Sequence, residues 1–308
     1  MDVAVTEDQR HPAVVRLERD HDIERVVQLL VDELTPADLT ALLLEVAKRR
    51  AARVPSAQVL QQYRRDRFVR PVQVDIRRLL DVQQRALDAV DPPFEPVGLS
   101  PLVPFGTSAA LAEVNQNRIV TAVRNTEVLS DPTTALALEA AVRRRESALS
   151  GEVVRLGCVE RIVRAQSFDG PRSYAHFSLL ALVSAGRGSL RFDQESVGEH
   201  ITALAAAAEA AGVEGVQVAI TDFSGTHGDV VEEVRGQLRV PVSVDPYRAA
   251  GRSYYPSICF TVMAAVGGDV LEVGDGGLVD WTQALVGSKK ERLMTSALSL
   301  ERIAALTS

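Results

Sequence analysis

Two arginines and an aromatic ring flank a polar loop near the middle of the chain, and together they have the chemistry of a nucleotide clamp. Arg164 ends a predicted strand, Arg172 closes the loop 167–172, and Phe177 lies on the predicted return strand. A guanidinium can pair with a phosphate through two parallel hydrogen bonds while the loop folds over the base. The alternative is an ordinary hairpin with surface arginines, and the local sequence alone favours that alternative.

Two further groups of residues have the side chains needed to hold a small ligand. Tyr254 and Tyr255 follow Gly251, and adjacent tyrosines on an extended chain point to opposite faces, so one of them could offer its phenol to a pocket. One tyrosine in the core and one on the surface is an equally good interpretation. Asp131 and Thr133 lie in a turn before a predicted helix, where a carboxylate can hold an ammonium group. Capping of the helix is the interpretation that the local sequence favours.

The C-terminal part joins a glycine-rich segment to a helix that carries an arginine. Gly276 and Gly277 lie within the predicted turn 274–280, and Arg302 follows on a predicted helix. Glycine lets a backbone approach a ligand closely. Leu-Glu-Arg on a helix carries little information by itself, so this segment gains meaning from its position after the other groups.

The composition predicts a globular cytoplasmic protein. The 308 residues are 46% hydrophobic and 24% charged, and the net charge of −7 gives no overall basic surface for nucleic acid. Cys158 and Cys259 lack the spacing of a zinc site, which predicts buried free thiols in a reducing compartment. The N-terminus has no apolar signal-peptide segment, and no run approaches about 18 apolar residues, so we expect no membrane span.

The predicted elements favour an α+β fold with a separate helical unit at the N-terminus. Apolar spacing predicts three helices within residues 1–70, which form that unit. Residues 71–308 contain predicted strands at 94–101, 153–165, 174–185, 216–220, 256–265 and 270–273. Predicted helices lie at 76–90 and 196–211, and residues 127–144 turn through 130–133 into an alanine-rich helix. Several strands that do not alternate regularly with helices predict an antiparallel sheet flanked by helices, not a doubly wound one.

In this order, the segments resemble the catalytic core of histidyl-type class II aminoacyl-tRNA synthetases. The resemblance covers residues 71–308. Each segment is similar to one signature of that family. Segment 94–101 resembles motif 1, 129–133 resembles R-P-E-G-T, 164–177 resembles motif 2, 251–255 resembles R-G-L-D-Y-Y, 276–280 resembles G-G-R-Y-D-G and 300–302 resembles motif 3.

This resemblance implies a role for each matching residue. ATP with Mg²⁺ would contact Arg164, Gln166, Arg172, Phe177 and Arg302, and Arg164 and Arg302 would be the catalytic residues. An amino-acid-like substrate would contact Asp131, Thr133, Tyr254, Tyr255, Gly276 and Gly277. Glu272 is a candidate ligand for Mg²⁺, since carboxylates are ligands that this ion prefers.

Four positions depart from the family pattern at the amino-acid site. The signature arginine is Ala250 and its aspartate is Ser253, so we do not expect activation of histidine by the family's usual route. Leu278 and Val279 stand where the family has an arginine and a tyrosine. Added apolar surface there predicts a smaller or more apolar amino acid, or another carboxylic acid, in place of histidine.

Further departures affect the nucleotide site and tRNA. Thr295 and Ser299 replace glycines of motif 3, and their side chains would narrow the ATP pocket. Gln166 replaces the motif 2 glutamate. The sequence ends at Ser308, where an anticodon-binding domain would begin. We therefore expect no such domain and no tRNA charging.

Three functional hypotheses are consistent with the sequence. In the first, the core binds ATP and an amino-acid-like acid and activates the acid as an adenylate for an acceptor other than cognate tRNA. In the second, it is a non-catalytic amino-acid-binding subunit, similar to the regulatory subunit of ATP phosphoribosyltransferase. Ala250, Thr295 and Ser299 favour this second hypothesis. In the third, the N-terminal helices dock a protein partner and the core has only a structural role.

The resemblance to motif 1 predicts a homodimer. Class II cores complete their sheets and pockets across a two-fold axis, so the interface should contain residues 94–101 and the preceding helix. Light scattering at micromolar concentration should give twice the monomer mass of 33.3 kDa. A monomeric mass would contradict this interface.

Overall fold

The computed structural model describes residues 12–21, 23–146, 151–165, 174–266 and 269–307. Contacts between Cα atoms divide the chain into two units. The first comprises the residues up to Gln61 together with Val123–Asn125, and the second comprises Gln62–Ala122 and Thr126–Ser308.

The N-terminal unit is built from short helices. They are α1 (Pro12–Asp20), α2 (Ile23–Gln28), a π-helical turn (Leu29–Glu33), α3 (Pro36–Ala51) and the beginning of α4 (Ser56–Arg65). Thr35 caps α3 by accepting a hydrogen bond from the amide of Asp38, and Pro36 occupies the first turn, as predicted. No described residue of α2, α3 or α4 is buried. These helices therefore enclose no buried apolar core of their own.

The second unit contains an eight-stranded mixed sheet in the order β1-β5-β6-β11-β10-β9-β7-β8. The pairs β1–β5 and β7–β8 are parallel, and the five pairs between them are antiparallel. Its strands are β1 (Glu95–Pro96), β5 (Val154–Val163), β6 (His176–Arg187), β7 (Gln217–Asp222), β8 (Val242–Val244), β9 (Ile258–Val266), β10 (Asp269–Val279) and β11 (Glu291–Ser299). A small antiparallel sheet has the order β2-β4-β3, with β2 (Leu102–Pro104), β3 (Thr121–Ala122) and β4 (Thr126–Val128).

Helices cover both faces of the large sheet, which confirms the predicted α+β class. One apolar cluster joins the sheet to α5 (Ile76–Asp88), α8 (Leu190–Ala210), α9 (Gly228–Gln237) and α11 (Leu300–Leu306). The other cluster joins the opposite face to α6 (Thr107–Ala112), α7 (Pro132–Glu146) and α10 (Trp281–Val286). Cys158 and Cys259 are buried free thiols in the second cluster, as predicted. None of the described helices is long and apolar enough to cross a membrane.

Several predicted elements need correction. The segment 274–280, predicted as a turn, is mostly the end of the central strand β10. Strand β11 was not predicted, because Thr295, Ser296 and Ser299 interrupt its apolar pattern. The structure buries Thr295 and Ser296, and the Ser296 hydroxyl hydrogen-bonds His200 Nδ1 at 2.8 Å. Only Glu95–Pro96 of the predicted strand 94–101 pairs with the large sheet.

Two glycines, one in the sheet and one in a helix, have opposite surroundings. A Cβ on Gly276 would lie 2.6 Å from Ser296 Cβ and 2.7 Å from the Phe260 ring, so Gly276→Ala should lower the free energy of unfolding. The expected loss is about 1–3 kcal/mol. Gly198 lies inside α8 with open space around it, and Gly198→Ala should raise stability by about 0.5–1 kcal/mol. Denaturant midpoints measure both changes, and the same sign for both would contradict this packing.

Candidate functional site

A cavity of ≈ 360 Å³ lies on the sheet face that carries α7. Its floor contains residues that share one face of three neighbouring strands. Asp275 of β10 pairs with Ala297 of β11, and Ser299 of β11 pairs with Leu179 of β6. Most of the other lining residues are charged, polar or aromatic. The full set of these other residues is Asp131, Thr133, Arg164, Tyr174, Phe177, Gly251, Tyr254, Tyr255, Glu272, Val273, Gly274 and Arg302. Residues of the motif 2-like hairpin, of the segments 129–133 and 251–255 and of the motif 3-like helix therefore meet around one cavity, whereas no residue of 94–101 or 276–280 lines it.

Asp131 both caps α7 and faces the cavity, so the two interpretations of this residue are compatible. Its Oδ1 accepts hydrogen bonds from the Thr133 amide at 3.0 Å and from the Thr133 hydroxyl at 2.7 Å. Its Oδ2 accepts the Tyr254 hydroxyl at 3.0 Å, and Arg164 Nη2 lies 3.7 Å away. Of about four acceptor positions on a carboxylate, these hydrogen bonds use three. One position remains for a ligand.

The tyrosine pair lies in a turn, not on an extended strand. The Tyr254 and Tyr255 amides both donate to Gly251 O, at 3.0 and 2.8 Å, and Gly251 has φ of +84°. The turn directs both rings toward the cavity and packs them edge to face at 4.7 Å. The chain is not extended here, so the condition under which the two rings would point to opposite faces is not met. Burial raises the pKa of both phenols well above the usual value, and negative charge on Asp131 adds to the shift of Tyr254.

Arg164 forms one wall of the cavity together with Phe177. Its Nε donates to Ser130 O at 3.1 Å, and its guanidinium carbon lies 5.3 Å from the centre of the Phe177 ring. This cation–π contact and the hydrogen bond of Nε hold the side chain, and no hydrogen bond from Nη1 or Nη2 is formed among the described residues. The predicted clamp residues Gln166 and Arg172 lie outside the described residues.

Arg302 reaches the cavity from the first turn of α11. Its Nη1 donates to the main-chain oxygen of Glu272 at 3.0 Å, so it bridges α11 and β10. Both residues line the cavity. Among the described residues, no group of three or more His, Cys, Asp or Glu side chains is arranged to hold a metal ion. Glu272 would therefore need oxygens of a ligand to complete a magnesium site.

A bulge in β10 places two carboxylates on the same side of the strand. Thr261 and Met263 of β9 lie two residues apart and share one face, and their partners on β10 are Asp275 and Glu272. The partners are three residues apart because the register shifts between Glu272 and Gly274. In a regular strand these side chains would point to opposite faces. Asp275 was missed by sequence reasoning, because a bulge depends on the pairing partner.

Asp275 has an unusual electrostatic environment. Burial raises the pKa of its carboxyl from 3.8 to about 6, and the negative charge of Glu272 adds to this increase. Its side chain is 35% exposed, but this surface faces the cavity, so protein still surrounds most of the group. Arg248 Nη2 lies 3.6 Å from Asp275 Oδ2 and lowers the pKa in part.

Arg248 is a second residue that sequence reasoning missed. Its Nε donates to Ala250 O at 3.0 Å, and its Nη1 donates to the Thr261 hydroxyl. It therefore brings a positive charge close to the position of Ala250, where the family signature has its arginine. The only signal in the sequence is that Arg248 lies two residues before Ala250, with no motif to align it.

Several residues with predicted effects on the site do not line the cavity. Gly276 and Gly277 are packed within the sheet, where a Cβ on Gly277 would lie 2.5 Å from the Tyr255 ring. Their structural role is close packing. Contrary to the prediction, neither of them lines the cavity. Leu278 and Val279 are buried in the core, and Thr295 is fully buried. Leu278 and Val279 therefore add no apolar surface to the cavity and Thr295 does not narrow it, whereas Ser299 does line it.

Solved structures with this fold are class II synthetase-like proteins. A Bacillus halodurans protein described as an ATP phosphoribosyltransferase regulatory subunit/histidyl-tRNA synthetase matches with a TM-score of 0.58 and 14% identity, over 78% of this chain and 83% of its own. The apo S. aureus histidyl-tRNA synthetase matches with a TM-score of 0.56 and 14% identity, over 75% of this chain and 64% of its own. A histidine–tRNA ligase subunit from Alicyclobacillus acidocaldarius matches with a TM-score of 0.59 and 15% identity, over 78% of this chain and 96% of its own.

These similarities confirm the predicted class II synthetase-like fold and the resemblance to histidyl-type cores. At such identity they establish the fold alone. No family profile and no curated protein matches the sequence.

The hydroxyl of Tyr254 should stabilise the site. It donates to Asp131 Oδ2 at 3.0 Å and lies 3.0 Å from the Thr133 hydroxyl, so Tyr254→Phe should lower the free energy of unfolding. The expected loss is about 1.5–3 kcal/mol, because the acceptor is charged. Tyr247→Phe is the matched control, since Tyr247 is 91% exposed and should change stability by less than about 0.5 kcal/mol. Equal denaturant midpoints for the two variants would contradict the network.

Proposed function

We propose that this cavity binds ATP and an amino-acid-like carboxylic acid and activates the acid as an adenylate, for an acceptor other than cognate tRNA. One observation carries the proposal. A single cavity is lined by Asp131 and Tyr254, which suit an ammonium group, and by Arg164 and Arg302, which suit phosphates. The class II synthetase-like fold supports it.

The amino-acid part of the site consists of Asp131, Thr133 and the two tyrosines. The free acceptor position on Asp131 would take one hydrogen of the ligand's ammonium group. The Thr133 and Tyr254 hydroxyls hold the carboxylate in place, so ligand binding costs little rearrangement. The rings of Tyr254 and Tyr255 exclude water from one wall.

The nucleotide part consists of Arg164, Phe177 and Arg302. Phe177 offers a ring for stacking, and the two arginines would pair with phosphate oxygens. A carboxylate oxygen of the acid attacks the α-phosphorus, a new C–O–P linkage forms, and pyrophosphate leaves with the electron pair of the broken P–O bond. The protein supplies position and charge neutralisation in this step. Glu272, together with oxygens of the ligand, would hold Mg²⁺, and the ion would supply additional charge neutralisation.

The second candidate function is a non-catalytic subunit that binds an amino acid and regulates a partner protein. A specific observation favours it. The cavity volume of ≈ 360 Å³ lies near the lower end for small-molecule sites, which suits an amino acid better than an amino acid together with ATP. The Bacillus halodurans neighbour is described in part as a regulatory subunit, which supports the same candidate.

Amino-acid-dependent exchange of pyrophosphate into ATP separates the two functions. A panel of amino acids and other carboxylic acids, with histidine included, is first screened by thermal shift, because a bound ligand raises the unfolding temperature. Some ligand other than histidine should give the largest shift. Exchange with that ligand supports activation. A shift without exchange or ATP binding supports the regulatory function, and no shift with any ligand contradicts both.

Arg302 should be needed for nucleotide affinity. Its contact with phosphate would be charge-assisted and worth about 1.5–3 kcal/mol, so Arg302→Ala should weaken ATP binding about 10- to 100-fold in calorimetry. Arg191→Ala is the matched control, because Arg191 pairs with Glu195 on an exposed helix face and lies outside the cavity. Equal ATP affinity in both variants would remove Arg302 from the proposed site.

A further inference from the structure

Asp275 has a carboxylate with unused acceptors that faces the cavity. Among the described residues, no hydrogen bond to this carboxylate is formed, and its ion pair with Arg248 has a separation of 3.6 Å. Its side chain is 35% exposed into the cavity, so the remaining acceptors are open to water or to a ligand there. Asp131, the other acid beside the tyrosines, already accepts three. The two acids of one cavity thus differ in how much of their bonding capacity the protein uses.

The neighbouring arginines do not neutralise Asp275 fully. Arg248 directs its Nε to Ala250 O and its Nη1 to the Thr261 hydroxyl, which leaves Nη2 beyond hydrogen-bond distance of the carboxylate. Arg164 donates to Ser130 O and lies close to Asp131. The protein therefore leaves the acceptors of Asp275 open to whatever occupies the cavity.

The bulge in β10 brings a second negative charge to the end of the cavity that contains Asp275. It places Glu272 on the same side of the strand as Asp275, and the negative charge of Glu272 acts on Asp275. Two like charges disfavour each other, and a cation between or beside them relieves the repulsion. Asp131 belongs to the start of α7, on a different element, so the cavity offers two separate acidic positions.

We propose that Asp275 binds a second cationic group of the ligand, so that the cavity selects an amino acid whose side chain is positively charged, such as a diamino acid. This inference rests on the proposed binding of an amino-acid-like ligand, in which Asp131 holds the α-ammonium group. It replaces the expectation of a more apolar ligand. That expectation required Leu278 and Val279 to line the cavity, but both are buried in the core.

Pairs of amino acids of equal chain length test the proposal without ATP or Mg²⁺. Calorimetry compares 2,4-diaminobutyrate with 2-aminobutyrate, ornithine with norvaline, and lysine with norleucine. The diamino member should bind at least about tenfold more tightly in one or more pairs, as expected for a charge-assisted contact. Asp275→Asn should reduce that ratio to below about threefold and leave the affinity for the monoamino member nearly unchanged. Glu195→Gln, which removes an exposed carboxylate on α8, should keep the wild-type ratio.

The same ratio should depend on pH. The charged groups that face Asp275 are Arg248 and Arg164, which lower its pKa, and Glu272 and Asp131, which raise it, and the resulting pKa is about 6. Tyr254, Tyr255 and Cys259 also face it, and burial raises the pKa of each, so they stay neutral over this range. The carboxyl is charged above this pH and neutral below it. Preference for the diamino member should therefore be present at pH 8 and decrease below about pH 6, and this decrease should be absent in Asp275→Asn.

The outcomes separate this inference from the proposed function. Binding of monoamino acids with no preference for any diamino partner overturns the inference and leaves the proposed function standing. Equal weakening of both members in Asp275→Asn also overturns it, because Asp275 would then hold the α-ammonium group. Failure of every amino acid to bind the wild-type protein contradicts the proposed function itself.

Discussion

The cavity depends on the register shift in strand β10. Without it, Glu272 and Asp275 would lie on opposite faces of the sheet, and one of the two acids would enter the apolar cluster beneath α8. A carboxylate buried there without partners would be strongly destabilising, so the bulge is required by the sequence as much as by the site. Gly276 and Gly277, which follow the shift, let Phe260 and Tyr255 pack directly on the strand. This packing holds the tyrosine turn in place above the cavity floor.

Two acids in one cavity have different environments, and the difference determines what each can do. Asp131 accepts three hydrogen bonds from Thr133 and Tyr254, so its position is fixed and one acceptor remains. Asp275 accepts none among the described residues, and burial raises its pKa to about 6. A group that the protein leaves without hydrogen bonds is stabilised by a ligand more than a group already satisfied. The second acid therefore contributes more to selectivity, and the first more to orientation.

Much of the fold was predictable, because strands such as β6 and β9 are apolar runs and α7 has a clear polar start. Helix α8 was predicted from residue 196, and the structure begins it at Leu190. Strand β11 was not predictable, because its Thr295 and Ser296 are buried polar residues. Their hydroxyls find hydrogen-bond partners only in the tertiary structure, as in the contact of Ser296 with His200. For the site, motif order pointed to Asp131, Arg164, Tyr254 and Arg302, and these four residues line one cavity. Asp275 and Arg248 could not be predicted as site residues, because strand register and the pairing of distant side chains have no local sequence signal.

The charges around the cavity connect the two candidate functions. Asp131, Glu272 and Asp275 balance Arg164, Arg302 and the nearby Arg248, so the site without ligand has little net charge. ATP would add several negative charges, which then need Mg²⁺ or a cationic co-ligand beside Glu272 and Asp275. A ligand with two positive groups and one carboxylate brings a net positive charge into the same space. Such a ligand would suit a regulatory site by itself, and in an activating enzyme it would make the subsequent entry of ATP electrostatically more favourable.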